Sequence, residues 1–201
     1  MTIVLLVEGE TEIALKGAIK QFLDQRVEQH GRPRIRLQSR KIKSISREAL
    51  GKQIRLELQT AGVTSVVGLI DVFPQFKHAD AAAAKSFLLD AARSAGIIKG
   101  FYAHAAQYDV EAWLLLYWGA ICQRIGVRQG PPGGDPEQVN GVKPPSRRLE
   151  DLYGRAKRAY VKTTEMPAIL AGKDLTVAAN ACPEFKSLLN TLLKLNDLPL
   201  L

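Results

Sequence analysis

Cysteine is nearly absent, with only Cys122 and Cys182 in 201 residues. They lie far apart and fit no metal-ligand spacing, so both read as buried thiols of a reducing compartment and the expected location is cytoplasmic. Long apolar runs are missing too. The longest, residues 65–70 and 112–117, fall far short of the roughly 20 residues needed to cross a bilayer, so no membrane association is expected. No basic region precedes the first apolar run, residues 3–7, which therefore reads as a strand and not a signal peptide. A Walker-type phosphate loop is also lacking. Residues 130–134 are glycine-rich but have no Gly-Lys-Ser ending, which excludes ATP hydrolysis by this chain.

What remains is a chain with 46% hydrophobic residues, enough for a real core. The net charge of +8 is clustered. Residues 32–52 hold eight basic side chains and one acidic one, and residues 143–162 hold seven and two. Such clusters favour a polyanionic partner through counterion release, although a basic, solvated surface has the same composition.

The hydrophobic pattern alternates between short apolar runs and helical periods. Residues 3–7 and 65–70 are continuous apolar runs of the kind buried on both faces of a sheet. Ile35 and Leu37 alternate with Arg34, Arg36 and Gln38, a strand with one wet face. Residues 97–103 supply a fourth strand. Helices are predicted over residues 11–29, from Ser46 to Gly62, over 80–95 and over 109–124, the last apolar on nearly every side. Residues 126–145 carry five glycines and five prolines without periodicity, a long ordered loop or a linker. Short helices follow over residues 146–158, 174–180 and 183–195. The alternation is that of an α/β protein with a mostly parallel central sheet flanked by helices. Residues 1–125 form the α/β core, and residues 126–201 a Gly/Pro-rich loop and helical C-terminal extension packed on it.

In such folds the carboxyl ends of the strands share one edge, where ligands bind. Glu8 directly follows the first buried strand and Asp71 the second. Glu12 lies in the first turn of the next helix, where it can point back toward Glu8. Glu111 begins the helix after the fourth strand. Several carboxylates at one edge need a counter-charge, and magnesium or manganese with oxygen ligands supplies one. Each acid also has an ordinary structural role: Glu12 as a first-turn helix acid, Asp71 as a turn-former before Pro74, Asp109 as an N-cap with Glu111 in its first turn. His104 reads more readily as a satisfied buried histidine than as a ligand.

The segment Val7-Glu8-Gly9-Glu10-Thr11-Glu12, followed by Asp71 closing a later strand, resembles a Toprim domain, most closely the compact versions in overcoming-lysogenization-defect nucleases. A longer resemblance is to a Toprim-like bacterial family, the domain of unknown function forty-two seventy-six. It rests on that segment, on Tyr108-Asp109-Val110-Glu111-Ala112-Trp113-Leu114-Leu115, and on Pro145-Ser146-Arg147-Arg148-Leu149-Glu150-Asp151-Leu152-Tyr153 with Ala181-Cys182-Pro183-Glu184-Phe185. The resemblance implies a magnesium site and a setting beside ABC-type ATPases in phage-defence loci. The chain departs from the Toprim pattern at Asp71-Val72-Phe73, which has one acid where two are usual, and at Tyr108, where a histidine is frequent.

The expected function is a magnesium-dependent nuclease of a phage-defence system. Glu8, Glu12, Asp71 and Glu111 would be its metal-binding and catalytic residues, and Lys143, Arg147 and Arg148 would contact the DNA or RNA backbone. The alternative is a non-catalytic nucleic-acid-binding or regulatory partner of an ABC-type ATPase, which the single aspartate favours. Phosphoryl chemistry on a small nucleotide is a third reading, and the clustered basic charge argues against it.

Overall fold

The computed structural model describes residues 1–72, 78–138 and 143–201. Four strands, β1 (Thr2–Val7), β2 (Arg36–Lys41), β3 (Val63–Asp71) and β4 (Phe101–Ala106), form one all-parallel sheet in the order β2-β1-β3-β4. β1 and β3 are the central strands, and residues 3–7 and 65–71 are buried. The continuous apolar runs follow from this position, because both faces of a central parallel strand are covered by helices.

The two faces have separate cores. On one, Leu15, Ile19 and Leu23 of α1 (Glu10–Gln29) pack over Ile3, Leu5 and Val7 of β1. Here the observed stripe differs from the expected one: Ile13, Ala14 and Ala18 sit at its margin, while Phe22 and Val27 are inside. On the other face, Leu50 and Ile54 of α2 (Arg47–Gln59) and Ala84, Leu88 and Ala91 of α3 (Ala81–Ser94) cover Val4, Leu6, Val66 and Ile70. Ser46 and Asp80 cap α2 and α3, their side chains accepting the Ala49 and Ala83 amides.

The chain leaves β1 toward β2 over one face, and it leaves β3 toward β4 over the other. The direction of winding therefore reverses between β1 and β3. A crevice opens beyond the carboxyl ends of strands at such a reversal.

Two expectations shift. The fourth strand begins at Phe101 rather than at residue 97, because Gly96 (φ 73°) and Gly100 (φ 82°) turn the chain and leave Ile98 exposed between them. The helix expected over 109–124 is a 3-10 helix, η1 (Val110–Tyr117), continued by α4 (Trp118–Ile125). A further helix, α6 (Lys162–Leu170), lies where none was expected, between α5 (Pro145–Arg155) and the pair α7 (Leu175–Ala181) and α8 (Pro183–Lys194). The expected turn at Pro74 lies outside the described residues, as do residues 139–142 of the long loop.

The described part of that loop is anchored by hydrogen bonds. Trp118 Nε1 donates to the Gln129 carbonyl at 3.0 Å, and buried Glu137 accepts from Trp113 Nε1 at 2.9 Å and from the Glu184 amide at 3.1 Å. Leu149, Leu152 and Tyr153 of α5, Met166 and Ile169 of α6 and Phe185, Leu188 and Leu192 of α8 join the same apolar cluster as α1 and β1. No helix among the described residues is long and apolar enough to cross a membrane.

The contact between α2 and α3 sets how flat that face can be. A Cβ on Gly51 would lie 2.5 Å from the Ala91 carbonyl oxygen and 2.9 Å from Ala95 Cβ. Gly51→Ala is expected to destabilise the protein by about 1–3 kcal/mol through overpacking against backbone. Gly17→Ala, on an exposed part of α1 with nothing within 4 Å of the new Cβ, is expected to stabilise it by about 0.5–1 kcal/mol. Urea unfolding of the two variants checks both signs.

Candidate active site

The crevice between β1 and β3 is lined by acids. Glu8 continues β1, Asp71 ends β3, Glu12 sits in the first turn of α1, and Asp109 and Glu111 follow β4; all are buried, Glu111 completely. Their backbones tie them into one unit. The Asp71 amide donates to Glu8 Oε2 at 3.1 Å, and the Val110 amide donates to Asp71 Oδ1 at 3.1 Å. The Gly9 amide donates to Glu12 Oε2 at 3.1 Å, and the Ser146 amide at the start of α5 donates to Asp109 Oδ2 at 3.2 Å. Gly9 is needed for space more than for conformation. Its backbone is extended (φ −141°, ψ −171°), but a Cβ there would lie 3.3 Å from Glu12 Oε2.

Tyr108 has φ 80°, a left-handed conformation that a non-glycine residue adopts at a cost of roughly 1–2 kcal/mol. The strain sits at the residue that turns the chain from β4 to Asp109.

One cation reaches the cluster from outside the sheet. Lys162, the first residue of α6, places Nζ 2.7 Å from Glu111 Oε1 as an ion pair. Glu111 Oε2 and Asp109 Oδ1 are buried without a hydrogen-bond partner in the described protein, as is the Tyr160 hydroxyl.

Electrostatics follow from this packing. Burial pushes the Glu8 carboxyl up to about 7, against the pull of the Asp71 amide and Lys162. Burial, reinforced by the Glu8 charge, holds Glu12 at about 7. Burial and the Asp109 charge bring Glu111 to about 7 despite Lys162. Asp71 is raised well above the usual carboxylate range by burial and then by the charges of Glu12, Glu111, Asp109 and Glu8, and Asp109 is raised by burial. Although burial works against the Lys162 ammonium, Glu111, Asp109 and Asp71 raise it above its ordinary value.

A divalent cation fits this set chemically. The acids are hard oxygen donors, they outnumber the cation beside them, and two buried oxygens lack partners. The oxygens are not gathered on one point, however. Glu8, Glu12, Asp71 and Asp109 each give one oxygen to a backbone amide, and among the described residues no three acidic, imidazole or thiol side chains converge closely enough to hold a metal ion. Loading a metal would use the remaining oxygens and re-aim side chains.

The other expected site residues make contacts of their own, although Arg147 and Arg148 directly follow Ser146 in α5. Lys143 pairs with Asp151, and Arg147 with Glu150 at 2.5 Å. Arg148 Nε donates to the Lys143 carbonyl at 3.2 Å and lines, with Lys143, Arg155 and Asp151, a cavity of about 280 Å³ beside Trp118. None of the three forms an ion pair with the acidic cluster among the described residues. His104 is buried on β4 with Nε2 3.0 Å from Thr191 Oγ1 of α8, and burial lowers its pKa to about 4. It serves the packing of α8 on the sheet.

Asp109 and Lys162 are the site residues that sequence reasoning did not assign. Asp109 was legible as one of two acids at alternate positions beyond a strand, yet its N-cap reading was equally good. Lys162 carries a subtler signal: a lysine at the first position of a helix opposes the helix dipole and calls for an acidic neighbour.

A family model described as a domain of unknown function, DUF4276, matches residues 7–193. Among solved structures, the C-terminal region of the Burkholderia pseudomallei OLD protein is similar, at 15% identity and a TM-score of 0.50, covering 93% of this chain and 98% of that one. At that identity the likeness is one of fold, and it agrees with the α/β fold expected from the Toprim-like pattern. No curated protein matches this chain.

The raised carboxyls make stability pH-dependent. Their unfolded values lie near 4 to 4.5 and the folded values of Glu8, Glu12 and Glu111 near 7, so the native state binds protons more tightly than the unfolded chain. This contribution is fully present below about pH 4 and lost as pH rises through about 7. In EDTA, melting temperature is expected to fall across that window. Lys162→Met should melt lower than the parent by more at pH 8 than at pH 5, because the carboxylates it neutralises are charged only at the higher pH. Equal losses at both pH values would exclude that electrostatic role.

Proposed function

This chain belongs to the DUF4276 family, whose description names no activity, and from its own site we propose that it is a divalent-metal-dependent phosphodiesterase acting on nucleic acid. The observation that carries the reading is the gathering of Glu8, Asp71, Asp109 and Glu111, from the ends of three strands, around the crevice where the sheet reverses its winding, with Glu12 facing them from α1. A structural role needs no such set, because burying like charges together is costly unless a cation joins them. The fold shared with the C-terminal region of the OLD protein supports the same reading.

Glu8, Glu12, Asp71 and Glu111, joined by Asp109, would hold magnesium or manganese. The bound metal would polarise a phosphodiester and lower the pKa of a coordinated water. The protein's own groups do the rest. The backbone amides of Gly9, Asp71, Val110 and Ser146 fix one oxygen each of Glu12, Glu8, Asp71 and Asp109, which limits how far the second oxygens can swing. Lys162, on a separate helix, can exchange Glu111 for a non-bridging phosphate oxygen and offset the charge that develops there. α5 brings its N-terminal amides to Asp109, so the C-terminal helices complete the acidic edge. The family resemblance adds a phage-defence setting, in which the substrate would be foreign DNA or RNA and an ABC-type ATPase a partner.

A second reading is a non-catalytic nucleic-acid-binding subunit of such an ATPase. It is favoured by the single acid Asp71 at the end of β3 and by the absence of a preformed three-ligand metal cluster among the described residues.

Cleavage of labelled DNA and RNA in magnesium or manganese separates the two. Glu8→Gln and Asp71→Asn are expected to lower the rate at least about 100-fold, a loss typical of removing transition-state stabilisation. Manganese should also raise the melting temperature of the parent at pH 8, by an amount equivalent to about 2.7 kcal/mol at a hundredfold excess over its Kd, and should do so less in either variant. Cleavage that survives both substitutions sinks the site assignment. Manganese stabilisation without cleavage, even with an ATPase partner, favours the second reading.

A further inference from the structure

The basic segment of residues 32–52 takes no part in the acidic site, yet the fold brings it to the same edge. β2 is an outer strand of the sheet, paired among the described residues only with β1. All eight of its segment's basic residues, Arg32, Arg34, Arg36, Arg40, Lys41, Lys43, Arg47 and Lys52, are exposed. Because the sheet is parallel, β2 points its carboxyl end the same way as β1 and β3. Lys41 is the register partner of Val7, and the Ile42 amide donates to the Val7 carbonyl at 2.7 Å. The end of the basic strand is thus level with the residue just before Glu8. Across that edge, in strand order, lie Lys41 and Lys43, then Glu8, then Asp71, then Asp109 and Glu111.

Charged residues on an outer strand also prevent edge-to-edge pairing, and a few lysines do that much. This segment goes further. Among the described residues no ion pair engages Arg32, Arg34, Arg36 or Lys43, and the contacts of Arg40 with Glu57 (4.0 Å) and Lys41 with Glu10 (3.8 Å) are long and solvated. Such pairs hold their cations weakly and leave them available. Arg36 and Arg40 lie on one face of the strand, opposite buried Leu37. The strand spans about 20 Å at about 3.3 Å per residue, roughly the rise of six nucleotides at 3.4 Å each.

We propose that the outer face of β2 and the turn after it, from Arg36 to Lys43, is the surface that binds a nucleic-acid phosphodiester backbone and leads it to the acidic edge at Glu8. The phosphodiesterase reading gives this surface its direction, but binding along it is separable from cleavage.

The test is fluorescence anisotropy of short labelled DNA and RNA oligonucleotides, single-stranded and duplex, with the full chain in EDTA over a series of salt concentrations. Each phosphate contact contributes about 0.9 to the slope of log K against log salt for a duplex and about 0.7 for a single strand. The triple variant Arg36→Gln, Arg40→Gln, Lys43→Gln is expected to bind at least about tenfold more weakly near 0.1 M salt, with the slope reduced by about 2 to 3. Its melting curve should be unchanged, because all these side chains are exposed. Lys143→Gln, Arg147→Gln, Arg148→Gln tests the other basic segment, and its loss of affinity should be smaller than that of the first variant.

Three results overturn the proposal: parental affinity and slope in the first triple variant; a loss confined to the second; or no nucleic-acid binding by the parent alongside binding to phosphatidylserine vesicles. If the parent binds through Arg36, Arg40 and Lys43 but cleaves nothing in any divalent metal, the surface stands and the phosphodiesterase reading fails.

Discussion

Like charge confined to a crevice is the constraint on which the site depends. Glu8, Glu12, Asp71, Asp109 and Glu111 are all buried beyond the strand ends, and among the described residues Lys162 is the cation that pairs with them. A carboxylate taken from water needs hydrogen bonds or an opposite charge, and both are supplied here by chain segments far apart in sequence. The end of β3 gives the Asp71 amide to Glu8, and the turn after β4 gives the Val110 amide to Asp71. The C-terminal helices contribute the rest: the Ser146 amide at the positive end of α5 and the ammonium of Lys162. The C-terminal region is therefore an electrostatic part of the crevice as well as a cover for one face of the sheet.

The position of Lys162 is set by a second buried charge. Glu165, one turn further along α6, accepts Arg124 Nε at 2.7 Å and the Tyr153 hydroxyl at 2.6 Å, which joins α6 to α4 and α5. Tyr153 is itself fully buried, and its ring packs edge-on against Tyr160, two residues before Lys162. Breaking a buried pair by removing one partner strands the other charge, so this network resists displacement of α6. Helix α1, packed against α6, reaches the same region, with Glu12 at its start and the apolar stripe of Leu15, Ile19 and Leu23 beneath. The acids are thus held on elements that the core already fixes, which is how a strained residue such as Tyr108 is tolerated.

Much of the fold was legible in sequence because the two central strands are buried on both faces and so appear as unbroken apolar runs. The winding of the chain then places Glu8 and Asp71 together, and two residues of sequence sufficed to locate the crevice. What was illegible depended on tertiary contacts. Residues 97–100 look strand-like but are turned outward by two glycines in the left-handed region. Residues 110–117 read as an α-helix, yet form a 3-10 helix in apolar surroundings on nearly every side. Helix α6 is hard to read because Pro167 lies inside it and its apolar residues are bunched in its C-terminal half without a helical period, although that helix carries the cation. Lys143, Arg147 and Arg148 were chosen by composition. Composition cannot tell that Lys143, just before α5, pairs with Asp151 of that helix, or that Arg147 pairs with Glu150.

The sheet edge also explains why a chain of net charge +8 carries its densest acidic group at the crevice. Along that edge the basic end of β2 borders the carboxylates of β1 and β3. On the proposed reading a polyanion would be drawn to the first and repelled by the second, so that protein charges alone would stop it short of the crevice. Adding two positive charges among the acids would lower their pKa values, reduce the repulsion and offer a phosphate oxygen a local positive centre. On the proposed reading, metal loading and substrate entry are coupled by electrostatics, with no moving part required beyond the re-aiming of side chains whose second oxygens are already free of backbone bonds.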